Sequence, residues 1–162
     1  MTLSKCILLV EDDCAIVELV IRSLAPQGMA DAVVPVPDGN AALNYLRAQG
    51  EYHGLRPKSP GVVLLDLKLS GSTGLEVLHE IKHDPELQLI PVVILSASLN
   101  DREVTACYRA GANAYVRKPF AFDEFRTALQ QTVLFWMTVN LAATATACRT
   151  PGLPVRELPL PS

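Results

Sequence analysis

The sequence predicts an α/β domain: a parallel sheet with helices on both of its faces. Three observations carry this. Short apolar runs recur along the chain, and each is followed by a stretch whose apolar residues fall at helical spacing. Within the runs apolar residues are continuous instead of alternating, the pattern of strands buried on both sides. Polar residues stand at the C-terminal ends of the runs, and the crevice beyond that edge of an open parallel sheet is where ligands bind. Strands alternating with helices require crossovers, and those crossovers are right-handed.

Taken in order, Cys6-Ile7-Leu8-Leu9-Val10 is the first strand, closed by the acids Glu11, Asp12 and Asp13. Ile16, Val17, Val20 and Leu24 then recur at helical spacing until Pro26 and Gly28 stop the run. Asp31 to Val36 reads as the second strand, and Asp38-Gly39 turns the chain into a helix with Ala42, Leu43 and Leu46 on one face, ended by Gly50. Glu51 to Gly61 carries Gly54, Pro57, Pro60 and Gly61 and few apolar residues, so it is expected to be a surface loop. Val62-Val63-Leu64-Leu65 is the third strand, and Asp66 stands at its end.

Thr73 and Glu76 have the spacing of a capping box, opening a helix with Val77, Leu78 and Ile81 as its buried stripe and Asp84-Pro85 as its stop. Pro91 to Ser96 is the fourth strand. Asn100 and Glu103 repeat the box spacing for a short helix through Ala110, which Gly111 ends. Ala114 to Arg117 is the fifth strand, followed by Lys118-Pro119. The last helix is expected from about Asp123 to about Val139, with Phe122, Phe125, Leu129, Val133 and Trp136 along its inner stripe. Residues 1–139 then form one domain. Residues 140–162, rich in Ala and Thr and then in Pro, are expected to be an extended or disordered tail with no output domain.

Composition narrows the function classes. A chain of 162 residues with 49% hydrophobic and 19% charged residues can bury a sizeable core. A formal charge of −3 with no basic run offers no electrostatic footprint for nucleic acid, so no nucleic-acid partner is expected. Val133 to Ala147 is the longest candidate for a membrane span, but Thr138, Asn140, Thr144 and Thr146 interrupt it and it falls short of the roughly 20 apolar residues needed. The apolar run before Glu11 is too brief for a signal-peptide core, which predicts a cytoplasmic protein. Cys6, Cys14, Cys107 and Cys148 lack metal-ligand spacing and read as reduced, mostly buried thiols. His53, His79 and His83 read as surface residues without a metal-ligand context.

The strand ends form a constellation on one edge of the sheet: Glu11 and Asp12 after the first strand, Asp66 after the third, Ser96 after the fourth and Lys118 after the fifth. Converging carboxylates repel, and a hard divalent cation held by oxygen ligands relieves that repulsion. Mg²⁺ is the expectation, because it binds through one or two carboxylates plus phosphate oxygens. A phosphoryl group on Asp66 would complete its shell. Lys118 would neutralise a second phosphate oxygen, and the Ser96 hydroxyl would donate to a third. A nucleophile, a metal and fixed donors are the equipment of phosphoryl transfer.

Leu9-Val10-Glu11-Asp12-Asp13, Leu64-Leu65-Asp66-Leu67, Val93-Ile94-Leu95-Ser96-Ala97 and Lys118-Pro119-Phe120 resemble, in order and spacing, the signature set of two-component response-regulator receiver domains. The resemblance spans nearly all of residues 4 to 130. It implies a flavodoxin-like (βα)5 sheet of order 2-1-3-4-5 and Asp66 as acceptor of a phosphoryl group from a histidine kinase. It implies Glu11 and Asp12 as the Mg²⁺-holding acidic pair, with the Lys68 backbone carbonyl as a further ligand. It also implies Ser96 as the hydroxyl switch, Tyr115 as the aromatic switch, Lys118 as the phosphate-contacting base, and a cis peptide before Pro119. Such a receiver promotes its own phosphotransfer and dephosphorylation and is no enzyme on an outside substrate. The chain departs from the family at Ser70, where Pro is frequent, and at Thr73, where Asp is frequent; Lys68 and Ser98 flank the path of the attacking water.

Leu134, Phe135, Met137 and Leu141 add apolar surface outside the inner stripe of the last helix. That excess predicts a covered patch about Leu134, Phe135, Trp136 and Met137, with a symmetric homodimer as its default form. The long Glu51 to Gly61 loop and Phe135-Trp136 resemble the small receivers paired with bacterial phytochrome histidine kinases. Two rival readings remain. A haloacid-dehalogenase-type phosphatase also uses an aspartate after a buried strand, but its D-x-D pattern meets Lys68 here. A receiver-fold adaptor that works without phosphorylation is the second.

Overall fold

The structure is a computed structural model in which residues 4–55 and 57–143 are described. Five strands, β1 (Cys6–Val10), β2 (Val33–Val36), β3 (Pro60–Asp66), β4 (Val92–Ser96) and β5 (Ala114–Arg117), alternate with helices α1 (Cys14–Leu24), α2 (Gly39–Arg47), α3 (Gly74–His83), α4 (Asp101–Arg109) and α5 (Phe122–Leu134). The strands are all parallel, in the order β2-β1-β3-β4-β5. This is the flavodoxin-like (βα)5 fold that the strand-end motifs imply.

Alternation along each strand divides the apolar residues between two cores. Leu8, Val10, Val63, Leu65, Val92 and Ile94 face one side of the sheet, where Tyr45 of α2, Val77, Leu78 and Ile81 of α3 and Cys107 of α4 cover them. Ile7, Leu9, Val62, Leu64, Val93 and Leu95 face the other side, under Val20 and Leu24 of α1 and Phe125, Leu129 and Val133 of α5. Since β1, β3 and β4 are buried on both sides, no polar residue fits inside them, and the first acids appear where the strands leave the core.

Several boundaries differ from the sequence expectations. β2 begins at Val33, because Ala30–Ala32 closes a 3₁₀ turn that uses up the start of the expected strand. The loop after α2 is shorter than expected: Gly50–Tyr52 is a 3₁₀ turn, and Pro60 and Gly61 already belong to β3. Tyr45 Oη donates to the Lys58 carbonyl at 2.8 Å and ties that loop down. Gly61 lies close under Met137, whose Sδ a Cβ there would approach to 2.7 Å, so any side chain at this position would push the methionine aside. Asn100 caps α4 through a bond from the Arg102 N–H, so it forms a simple cap where a reciprocal box with Glu103 was expected.

Phe122 is half exposed instead of lying on the inner stripe, as the first residue of α5, before the helix has docked on the sheet. Regular α-helix ends at Leu134, and Phe135–Val139 continues as a π-helical turn. Such a turn spreads more residues over each revolution, and here both Trp136 and Met137 reach the second core. The Lys118–Pro119 peptide is trans, as no described peptide is cis; trans is the intrinsically favoured form of an X–Pro bond. Of the tail, residues 140–143 are described; the rest of 140–162, with Cys148, lies outside the described residues.

Candidate functional site

Parallel register sets the strand ends level. Val10 pairs with Leu65, Asp66 with Leu95 and Ser96 with Arg117, so the residues just beyond meet at one edge. Lys118 is held there by its backbone N–H, which donates to the Ser96 carbonyl at 2.8 Å. Its Nζ lies 2.7 Å from Glu11 Oε2 and 3.2 Å from Asp66 Oδ2. One carboxylate oxygen from each of Glu11, Asp12 and Asp66 lies within 4.8 Å of the others. Four of the sequence-predicted site residues, Glu11, Asp12, Asp66 and Lys118, are therefore brought together by their side chains, and Ser96 is buried at the neighbouring strand end.

The three acids have unlike environments. Glu11 is buried, and burial pushes its carboxyl above the usual range, while the Lys118 ammonium pulls it back and Asp66 pushes it further up. Its other oxygen accepts from the Asp13 N–H at 3.1 Å. Asp12 is exposed, and the Ser70 hydroxyl above all holds its carboxyl below the usual range. Asp66 is half-buried, and its Oδ1 accepts from the Lys68 N–H at 3.2 Å. The cluster offers hard oxygen donors of mixed accessibility around one shared cation, a set that fits a small divalent metal.

The loop that follows Asp66 is pinned from both ends. Lys68 and Thr73 form an antiparallel bridge, and Gly74 N–H donates to the Leu67 carbonyl at 2.9 Å. Gly74 has no substitute at this point: a Cβ would come within 2.2 Å of the Asp66 carbonyl oxygen. Thr73 and Glu76 form the reciprocal capping box that opens α3, as their spacing predicts.

Ser70 is the site residue that sequence reasoning left outside the site. Its N–H and its hydroxyl both donate to Asp12 Oδ2, at 3.1 and 2.7 Å. Sequence marked it only as a departure from a frequent Pro, and a Pro there would lack both donors.

Ser96 and Tyr115 are linked through Ser98. Ser96 Oγ accepts from the Ser98 N–H at 3.1 Å, and the Ser98 carbonyl accepts from Tyr115 Oη at 2.9 Å. Ser96 also borders a cavity of about 410 Å³ walled by Leu67, Thr73, Leu75, Ala106 and Cys107. Of the four residues expected at an interface, Leu134 and Phe135 are exposed, at 43% and 46%. Trp136 and Met137 are half-buried against the chain's own core.

Residues 7–130 match the response regulator receiver domain. The chain belongs to that family. Among its relatives, response regulator Rcp1 of Synechocystis sp. is 40% identical over 140 residues, covering 86% of this chain and 94% of the relative. The crystal structure of the phosphorylated cyanobacterial phytochrome response regulator RcpA is similar at a TM-score of 0.80 and 37% identity, covering 86% of this chain and 99% of that one. The Mn²⁺-bound form of Rcp1 is similar at 0.79 and 36%, with 86% and 99% covered. As a receiver domain, the chain is a phosphorylation-based signalling switch and not an enzyme acting on an outside substrate. Its carboxylate cluster is able to bind a divalent metal. Among the described residues no helix is long and apolar enough to cross a membrane.

Proposed function

We propose that Asp66 of this receiver accepts a phosphoryl group from a histidine kinase of phytochrome type. The observation that carries this reading is the Lys118 ammonium lying between Glu11 and Asp66, with Asp12 alongside. In the transfer, an Asp66 carboxylate oxygen attacks phosphorus; the new O–P bond forms as the N–P bond of the phosphohistidine breaks, and the electron pair stays on the imidazole. Lys118 then balances charge on the new phosphoryl group, and Ser96 donates a hydrogen bond to it. Mg²⁺ is the metal inferred for Glu11, Asp12, Asp66 and the Lys68 carbonyl; when bound it supplies positive charge beside the phosphoryl oxygens. The identity with RcpA and Rcp1 supports a phytochrome-type kinase as the donor.

The signal leaves through the Ser98 link. A Ser96 hydroxyl drawn toward the phosphate gives up the Ser98 N–H, which frees the loop whose carbonyl anchors Tyr115. Phosphorylation thereby biases an existing equilibrium of the β4–α4 and β5 surface. The exposed Leu134 and Phe135 support a homodimer through the end of α5. The free thiols Cys6, Cys14 and Cys107 suit a reducing compartment, and we place the protein in the cytoplasm.

Incubation with kinase or a small phosphodonor and Mg²⁺ tests this reading. Acid-labile labelling of the chain is expected, absent in Asp66→Asn; a label that persists in that variant rules out Asp66 as acceptor.

A further inference from the structure

Helix α3 carries a feature that phosphoryl transfer does not use. His79-Glu80-Ile81-Lys82-His83 places two histidines one helical turn apart with a glutamate after the first, the spacing at which a helix presents two zinc-ligating imidazoles on one face. Ile81 is fully buried between them, which fixes the opposite face of α3 toward solvent, and both histidines are exposed there. Their rings stack with centroids 3.8 Å apart and planes 19° from parallel.

The tautomer of His83 follows from its neighbour. His83 Nδ1 lies 2.9 Å from the His79 carbonyl oxygen. A carbonyl can only accept, so Nδ1–H is the donor, and in the neutral ring Nε2 then carries the lone pair. A ligating histidine that donates its other N–H to a backbone carbonyl has its ring oriented by that bond. A bound cation is also favoured at the C-terminal turn of α3, where the helix dipole is negative. Neighbouring cations are engaged elsewhere: Lys82 Nζ bonds the Gln88 and Ile90 carbonyls and Asn113 Oδ1, and Arg47 pairs with Glu80 and Asp84.

We infer that His79 and His83, whose rings turn out of their stack so that both lone pairs converge on one ion, form a bidentate site for a divalent transition ion of the Zn²⁺, Ni²⁺ and Cu²⁺ class, separate from the carboxylate cluster. Imidazole suits these ions, with Cu²⁺ the tightest of them, whereas carboxylates and carbonyls suit Mg²⁺. α3 begins at the Asp66 edge of the sheet and runs back along it, so the two sites lie toward opposite ends of the helix. Hydrolytic chemistry does not accompany the motif. Glu80 is held by Arg47 at 3.2 Å, and the glutamate one turn earlier, Glu76, spends Oε2 on the Thr73 N–H. The remaining coordination positions belong to water.

The test is a titration of the untagged full chain with Cu²⁺, read by electron paramagnetic resonance, and with Zn²⁺, read by thermal unfolding. The expected result is a two-nitrogen signal saturating at one equivalent and a rise in Tm with Zn²⁺, because an ion that binds the folded helix stabilises it. The two-nitrogen signal, and the part of the Zn²⁺ rise that persists in an Asp12→Asn background, are expected to be lost in His79→Ala and in His83→Ala, exposed positions whose replacement spares the core; the signal is expected to be kept in His53→Ala and Asp12→Asn. A two-nitrogen signal unchanged in the His79→Ala/His83→Ala double variant overturns the inference. So does loss in Asp12→Asn alone, or the absence of a saturable signal in the parent chain.

Discussion

Ser70 holds Asp12 twice on a single oxygen, with its N–H at 3.1 Å and its hydroxyl at 2.7 Å from Oδ2. The loop after the acceptor strand is thus fastened to the exposed acid of the carboxylate cluster, and the bonds keep that acid ionised. A carboxyl whose folded pKa lies below its unfolded value of about 3.9, as that of Asp12 does, adds stability above that pH and loses it as pH falls through the lower folded value. Ser70→Ala is expected to move the Asp12 titration upward, and a carboxyl-carbon NMR titration checks it. An unchanged Asp12 titration removes Ser70 from this role.

Lys118 supports Glu11 as much as it serves the phosphoryl group. Glu11 has a side chain 2% exposed, and Lys118→Ala strands its carboxylate beside Asp66. Breaking such a pair costs about 3 kcal/mol at pH 7. Burial raises the folded pKa of Glu11, so its contribution is fully present below about 4.3 and is lost as pH rises through the raised value. The deficit of Lys118→Ala against the parent is therefore expected to shrink as urea denaturation is repeated at falling pH. An equal deficit at every pH contradicts the pairing.

Divalent metal should stabilise the fold through the same cluster. At Mg²⁺ a hundredfold above its Kd, binding to the folded state alone adds about 2.7 kcal/mol. Calorimetric unfolding with and without Mg²⁺ reads this, and Asp12→Asn is expected to abolish the increment while folding normally without metal. An increment that survives in Asp12→Asn places the ion elsewhere.

Gly74 transmits packing to the acceptor. A methyl group at this position would sit 2.2 Å from the Asp66 carbonyl oxygen, against backbone that has little room to yield. Gly74→Ala is expected to cost about 2 kcal/mol and to slow labelling of Asp66, because the strand end must shift. Labelling at the parent rate by a stably folded variant would falsify this.

The end of α5 divides into two kinds of residue. Phe135 and Leu134 are exposed, whereas Trp136 and Met137 pack on the core, Met137 beside Gly61. Leu134→Glu and Phe135→Glu are expected to yield monomers by sedimentation with little change in Tm, and Trp136→Ala to lower Tm. Unchanged association in both charge variants retires the dimer.

Sequence alone determined the sheet, its parallel sense and the identity of the acidic edge. The reason is that strands buried on both faces must be continuously apolar, so the ends of β1, β3 and β4 are marked by the first polar residues, Glu11, Asp66 and Ser96. Helix stripes such as Val77, Leu78 and Ile81 were legible for the same reason of period. Tertiary structure decided whatever depends on who stands opposite whom. Ser70 and Asp12 are far apart in the chain, and only the closing of the β3–α3 loop brings them together. Trp136 fell on the inner stripe by helical spacing, whereas Met137 shares the apolar character of Phe135, and the π-helical turn places it inward against Gly61. His79 and His83 read in sequence as surface residues without a metal-ligand context, and only the buried Ile81 and the stacking of their rings show them as a pair on one face. Local pattern specifies which face a residue belongs to, whereas packing specifies its partner.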